Sequence, residues 1–305
     1  MIDAELAATR LNASRWVRAQ GILLPSERLP ELVANAVALL QFNAPLNAAY
    51  YGAFSGGKDS CVIKELARIA GVRVEWHYNV TTIDPPELLH FMREYHPDVK
   101  WDRSRYGNFF HRMVVKGIPT RVARWCCEDY KETRAPRGSQ MILGVRAAES
   151  PRRAKRWQLI NFHTSTHAWC VAPIVSWSDA DVWEFIHTHG LPYCSLYDEG
   201  FKRLGCIGCP MAREVGRRIE FARWPRFEAL WQKAFQRLWE RRTAPDYIQR
   251  DGRSWQMAVR FKDWREMWEW WLSDDPTPET GDEENEDGCQ LALDMLSGGT
   301  EIKGD

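Results

Sequence analysis

Apolar residues change their spacing several times along the chain, and each change marks an expected element. Leu29, Leu32, Val33, Ala36, Val37 and Leu40 recur every three to four positions, so residues 1–45 read as a helical segment. Ala48-Ala49-Tyr50-Tyr51-Gly52-Ala53-Phe54 is a continuous apolar run entering a glycine turn, the pattern of a buried strand. From Lys58 the spacing turns helical again through Val62, Ile63, Leu66, Ala67, Ile69 and Ala70, and Gly71 stops it. Val72 to Tyr78 alternates as a strand does. Asp84-Pro85-Pro86-Glu87 is a helix start: a capping aspartate, then proline, then a glutamate three positions on. Met141 to Val145 is another short buried strand, and Ser178-Asp179-Ala180-Asp181 opens a helix that Gly190 and Pro192 end. Phe227, Leu230, Trp231, Ala234 and Leu238 line one face of a helix over residues 226–242.

Strands alternating with helices predict an α/β fold, a parallel twisted sheet flanked by helices with right-handed crossovers. The chain divides into an N-terminal helical segment (1–45), an α/β core (46–215), a Trp-rich helical extension (216–273) and an acidic tail (274–305) whose composition predicts disorder. Eight of the sixteen tryptophans fall within residues 224–271, and Trp264, Trp268 and Trp271 share one helical face. That spacing favours core or interface packing over base stacking.

Charge sharpens this division. The chain has 41 basic and 41 acidic residues, but eleven acids and only Lys303 among the bases lie in residues 274–305. Residues 1–273 therefore carry a net charge of +10, which suits a polyanion such as a nucleotide or a nucleic acid. No uncharged apolar run approaches the roughly 18 residues of a membrane span, and the first residues lack the apolar core of a secretory signal. A cytoplasmic protein is expected. Its eight cysteines then read as thiols, not disulfides.

The hexapeptide Ser55-Gly56-Gly57-Lys58-Asp59-Ser60 lies between a strand and a helix. Two glycines let backbone N–H groups approach an anion, and the helix start adds its own free N–H groups and positive dipole end. Lys58 supplies a mobile cation; Ser55 and Ser60 supply hydroxyls. The loop lacks the four residues that separate glycine from Gly-Lys in a Walker A loop. Arg146, Arg152, Arg153, Lys155 and Arg156 follow the strand ending at Val145, and strand C-terminal ends are where open α/β sheets bind ligands. Asp59 and Asp84 are hard oxygen donors for a magnesium ion, with the helix cap as the other reading of Asp84.

Among the cysteines, Cys126-Cys127 and Cys206-x-x-Cys209 are grouped, while Cys61, Cys170, Cys194 and Cys289 are scattered. Four soft ligands suit a 4Fe–4S cluster or a tetrahedral zinc. Adjacent cysteines have little freedom to meet on one small ion, which favours the cluster over zinc. His187 and His189, at a helix end, read as structural, and His163 and His167 have no third ligand to join them.

The SGGKDS loop resembles that of the N-type ATP pyrophosphatases, the adenine nucleotide α-hydrolase superfamily of HUP-type folds. Further motifs follow in order: Asn79 to Leu88, Arg124-Trp125-Cys126-Cys127-Glu128-Asp129-Tyr130-Lys131, Gly144 to Arg152, Ala172-Pro173-Ile174, Gly190-Leu191-Pro192-Tyr193 and Gly205-Cys206-Ile207-Gly208-Cys209-Pro210. Together they resemble the phosphoadenosine phosphosulfate (PAPS) reductase family over roughly residues 48–212, and phage- and mobile-element-type members above all. Related branches include sulfonucleotide reductases, the ATP-handling enzyme of DNA phosphorothioation and an accessory protein of some CRISPR systems.

The resemblance implies ATP cleavage between the α- and β-phosphates, or adenylation of a substrate. It implies a cluster on Cys126, Cys127, Cys206 and Cys209 beside the nucleotide, and Mg2+ travelling with ATP. Nucleotide contacts would come from Phe54, the Ser55–Ser60 loop, Thr81, Asp84, Gly144, Arg146 and Arg152, with Lys58, Asp59 and Arg146 carrying the catalysis. Lys131, Glu149 and Arg153 would serve the substrate anion. Thiol-dependent reductases of the family use a cysteine near the C-terminus in a Glu-Cys-Gly-[Leu/Ile]-His motif. Here the late cysteine is Cys289, among acids that oppose its activation and with no histidine after it. Those reductases also depart from the full SGGKDS loop, which this chain keeps. Both departures favour ATP over PAPS or APS, the alternative ligands of a thioredoxin-dependent reductase. Expected partners are ATP, a sulfur-donor protein or thioredoxin, nucleic acid, and a second copy in a homodimer. A third reading is a nucleotide- or nucleic-acid-binding accessory protein.

Overall fold

The apolar run at residues 48–54 supplies the central strand of a six-stranded sheet. In the computed structural model, which describes residues 28–132, 135–163, 167–246 and 260–273, β1 is Tyr50–Ala53, with Tyr50 and Tyr51 buried. The helix expected before residue 28, the tail 274–305 with Cys289, and the side chain of Arg152 lie outside the described residues.

Around β1 the chain runs α1 (Arg28–Phe42), α2 (Lys58–Ala70), β2 (Val74–Val80), α3 (Pro86–Tyr95), β3 (Lys100–Arg103), α4 (Phe109–Lys116), β4 (Gln140–Ile142), α5 (Pro151–Arg156), β5 (Ile160–His163), β6 (Ala168–Val171) and α6 (Asp179–Thr188). Three more helices follow: α7 (Glu214–Arg223), α8 (Pro225–Thr243) and α9 (Trp264–Leu272). The sheet order is β3-β2-β1-β4-β6-β5. β1 pairs in parallel with β2 and with β4, β4 pairs in parallel with β6, and β5 is antiparallel to β6. The chain leaves β1 toward β2 on one side and returns to β4 on the other. The cleft beyond the carboxyl ends of β1 and β4 is therefore the topological switch point, where open α/β sheets take their ligands.

Helix α2 starts and stops where its sequence directs. Gly71 takes a left-handed conformation and donates to the carbonyls of Ala67 and Arg68, closing the last turn. Its apolar face (Val62, Ile63, Leu66) is fully buried, and α1 and α6 pack on it with Leu40, Phe185 and Ile186. The strand expected at Met141–Val145 is shorter, because the chain leaves the ladder after Ile142; the Leu143 amide still donates to Val171 O at 3.0 Å. The sequence pattern predicts no strand at β3, β5 or β6. Lys-Trp-Asp-Arg in β3 has no two-residue apolar period, and β5 lies on the sheet edge, where half its positions face solvent.

The chain divides into two compact units, Met1–Tyr78, Pro86–Asp102 and Ala135–Leu204 forming one, and Asn79–Pro85, Arg103–Arg134 and Gly205–Asp305 the other. In the second, α8 packs against α4, α7 and α9 around Phe109, Phe221, Trp231, Phe235, Trp268 and Trp271. Trp231 and Trp271 stack with ring centroids 4.7 Å apart. These tryptophans do core packing, as their helical spacing predicts. Among the described residues no helix is long and apolar enough to cross a membrane.

Candidate functional site

Phe54 continues β1 by one hydrogen bond, its amide donating to His77 O at 2.9 Å, and then the chain turns. Gly56 sits at φ +74°, and a Cβ there would stand 2.8 Å from Leu88 Cδ1 and Met92 Sδ. Both its conformation and the space require glycine. Gly57 is the N-cap of α2 in extended backbone and offers no side-chain cap, so the first amides of the helix must find partners elsewhere. The Lys58 amide donates to Tyr197 Oη at 2.9 Å and the Gly57 amide to Ser55 Oγ at 3.4 Å, while Ser60 Oγ donates to Gly57 O at 2.7 Å. Both loop amides thus donate to side-chain hydroxyls at the start of a helix, the position where backbone N–H groups in other proteins meet anions.

Lys58 and Arg146 are both buried. Arg146 follows β4 and reaches the first turn of α2: Nε donates to Asp59 Oδ1 at 2.5 Å and Nη2 to Asp179 Oδ1 at 2.9 Å. Lys58 Nζ lies 3.2 Å from Asp179 Oδ1 and 3.8 Å from Asp59 Oδ2, and it donates to Lys202 O at 3.4 Å. Gly144 allows this approach, since a Cβ there would come within 3.2 Å of the Asp59 backbone. The expected residues Lys58, Asp59, Gly144 and Arg146 thus converge at the switch point. Asp179 and Tyr197 join them, and neither was singled out from sequence; Asp179 read only as part of a helix start. Glu149 and Arg153 form an ion pair with each other, and Ser150 caps α5 by accepting from the Arg153 amide at 3.2 Å.

Thr81, Asp84, Lys131 and the four grouped cysteines lie in the second unit. Asp84 is buried, and its Oδ2 accepts from Thr81 Oγ1 at 2.6 Å and the Thr81 amide at 3.3 Å, so its carboxylate shapes the turn before α3. Cys126, Cys127, Cys206 and Cys209 line one small pocket together with Thr81, Ile83, Phe109, Tyr130, Lys131 and Trp231. The Cys206–Cys209 turn is pinned on three sides. Ile207 N donates to Ile83 O at 2.8 Å, Trp231 Nε1 to Ile207 O at 3.1 Å, and Gly208 N to Glu220 Oε2 at 2.7 Å. The Cys127 thiol is pulled down, first by a hydrogen bond from Cys126 and then, against its burial, by the Lys131 and Arg124 charges; Arg124 Nη2 stands 3.3 Å from its sulfur. Burial pushes the Cys206 thiol up, against the opposing effect of the neighbouring Lys131 ammonium.

The chemistry of this pocket suits an iron–sulfur group in kind: four thiols, apolar walls, a lysine, and a buried Tyr130 hydroxyl with no hydrogen-bond partner. Among the described residues, no group of three or more His, Cys, Asp and Glu side chains is arranged to hold a metal ion. His187 and His189 pack on Trp183 and Phe185, in keeping with a structural part.

Comparison with known proteins agrees with the sequence motifs. An adenosine 5'-phosphosulfate reductase of Allochromatium vinosum is 29% identical over 226 residues, covering 66% of this chain and 83% of that protein. An uncharacterized protein of Methanocaldococcus jannaschii is 33% identical over 195 residues, 59% of this chain but 39% of the relative, and a second from that organism is covered over 42%. The chain thus spans about two fifths of the length of these two archaeal relatives. Among solved structures, the phosphate complex of phosphoadenylyl-sulfate (PAPS) reductase from Candida auris overlaps 61% of this chain and 97% of that one, at 17% identity and a TM-score of 0.45. The sequence profile of the phosphoadenosine phosphosulfate reductase domain matches residues 49–212, from the first strand past the last grouped cysteine and over more than half of the chain. The chain belongs to the phosphoadenosine phosphosulfate reductase family, within the adenine nucleotide α-hydrolase superfamily.

Proposed function

We propose that this protein takes ATP and cleaves it between the α- and β-phosphates, yielding AMP and pyrophosphate or an adenylated substrate on the way to sulfur transfer. One observation carries the reading: two buried cations, Lys58 from the start of α2 and Arg146 from the end of β4, converge at the switch point of the sheet. In this reading the amides of Gly57 and Lys58 and the Lys58 ammonium receive the β- and γ-phosphates, and Arg146 meets the α-phosphate. Held in place before the reaction, these donors stabilise charge growing on the departing pyrophosphate. Asp59 bonds the Arg146 guanidinium, and its carboxylate is the loop's own hard-oxygen group for a magnesium ion. Magnesium would neutralise phosphate charge. Glu149, Arg153 and Lys131 are the proposed contacts of the second substrate's anion, with Thr81, Asp84 and Arg152 completing the nucleotide contacts.

Cys126, Cys127, Cys206 and Cys209 would hold a 4Fe–4S cluster. Such a group supplies a local field, or electrons, to chemistry nearby. Asp84 and Thr81 brace the segment against which the Cys206–Cys209 turn is bonded.

The test is product analysis on protein prepared without oxygen. AMP with pyrophosphate is expected, and Lys58→Met should lower turnover by about a hundredfold or more. ADP as product, or no affinity for ATP, overturns the reading. A second reading, a thioredoxin-dependent reductase of APS or PAPS, is favoured by the name of the Allochromatium vinosum relative. Sulfite release from APS or PAPS with thioredoxin, abolished by Cys289→Ser, is its expected signature.

A further inference from the structure

We infer that Asp179 is a built-in competitor for the anion site: its carboxylate bridges Lys58 and Arg146 where a phosphate oxygen would sit, and a ligand must displace it to bind. This rests on the reading of the loop as a phosphate site and adds how that site is held before the ligand arrives.

A single oxygen, Oδ1 of Asp179, meets both cations, Arg146 Nη2 at 2.9 Å and Lys58 Nζ at 3.2 Å. The four side chains differ sharply in exposure. Lys58 and Arg146 are 6% and 4% exposed and Asp59 is 19% exposed, whereas Asp179 is 62% exposed. Three members are therefore fixed in the wall, and Asp179 reaches in from the solvent side. The charge balance points the same way. Lys58, Arg146 and Asp59 alone leave one positive charge in a desolvated place, and Asp179 cancels it.

Asp179 is an acid in the first turn of α6, but the cap of that helix does not use it. The cap of α6 is a closed box between its neighbours: the Asp181 amide donates to Ser178 Oγ at 3.2 Å and the Ser178 amide to Asp181 Oδ2 at 2.7 Å. Asp179 takes no part in that box and aims across to another element. Tyr197 does for the loop amide what Asp179 does for the cations, since its hydroxyl accepts from Lys58 N at 2.9 Å. Cation and amide thus each have an internal oxygen partner. A ligand presenting several anionic oxygens replaces both at once, and one presenting a single weak acceptor replaces neither. The consequence is selection for a polyphosphate chain.

Asp179→Asn removes the negative charge and keeps the shape. Titration calorimetry with pyrophosphate, and with ATP free of metal, is expected to give roughly tenfold tighter binding in the variant. The gain should shrink toward nothing at about 0.5 M salt, as an exchange of partly exposed charges requires. Without ligand the variant should melt lower than the wild type, because two buried cations lose a partner, and pyrophosphate should restore the difference. Unchanged or weaker binding overturns the inference, weaker binding meaning that Asp179 helps to hold the ligand. Asp179→Ala must move affinity in the same direction, which guards against a peculiarity of asparagine. If wild type and both variants bind neither pyrophosphate nor ATP, the phosphate-site reading itself fails. If the wild type binds and the variants are no tighter, only the role of Asp179 fails.

Discussion

His96 illustrates how burial and one neighbouring charge set the behaviour of a residue. It lies among Phe54 and Phe91, with Lys64 Nζ 3.2 Å from Nδ1 and Cys61 Sγ 3.8 Å from Nε2; Lys64 in turn pairs with Asp98 at 2.5 Å. Burial first, and the Lys64 charge second, pull its pKa down to about 4, against the small opposing effect of Asp98. The folded state therefore holds it neutral, while the unfolded chain protonates it below about 6.5. Its contribution is fully present above about 6.5 and is lost as pH falls toward 4. Urea unfolding between pH 7.5 and 4.5 should show roughly 1–2 kcal/mol lost from this group, discounted for its partial hydration. In His96→Gln that part of the slope should vanish; an unchanged slope would place the proton elsewhere. Lys58 is the opposite case at the same scale. Its place at the start of α2 was legible from sequence, because two glycines end the strand run and the helical apolar spacing begins just after it.

At the scale of elements, the Cys206–Cys209 turn depends on contacts from distant parts of its unit. Gly208 sits at φ +73°, and a Cβ there would fall 2.7 Å from Trp231 Nε1 and 2.8 Å from Phe221 Cζ. Gly208→Ala combines backbone strain with overpacking and should cost about 2–4 kcal/mol, read as a lower unfolding midpoint together with loss of any bound iron. Arg217 of α7 is buried and acts as a clamp. Nη1 donates to Pro210 O and Ala212 O just past the cysteines, and Nη2 donates to Leu272 O at 3.0 Å and Ser273 O at 3.1 Å, closing the end of α9. Arg217→Leu would leave those carbonyls buried without a donor, a loss of about 3–5 kcal/mol, and Arg217→Lys should recover only part of it. Equal stability of all three proteins by chemical denaturation would remove the clamp from the account. From sequence Arg217 is one basic residue among many in an amphipathic helix. Its partners are backbone carbonyls, which carry no side-chain signature.

Over the whole molecule, the two groups of candidate residues fall into different units: the Ser55–Ser60 loop with Arg146 and Asp179 in one, the four cysteines with Thr81, Asp84 and Lys131 in the other. For the second group, anaerobically prepared protein should be brown and carry about four irons per chain, and replacing any one grouped cysteine by serine should remove most of that iron. Colourless, iron-free protein with stoichiometric zinc would turn the site to the other metal. What the sequence by itself determined is the part carried by local pattern. Glycines with a lysine mark the loop, apolar spacing marks β1, α2, α6 and α8, and paired cysteines mark the second site. Each such signal needs only near neighbours along the chain. The tertiary structure alone decided the strand order that makes the β1–β4 cleft a switch point, and the union of Asp59, Arg146 and Asp179 around Lys58. Those outcomes depend on which strands pair and on side chains more than a hundred residues apart meeting in one buried place. No run of adjacent letters encodes a charge balance completed across that distance.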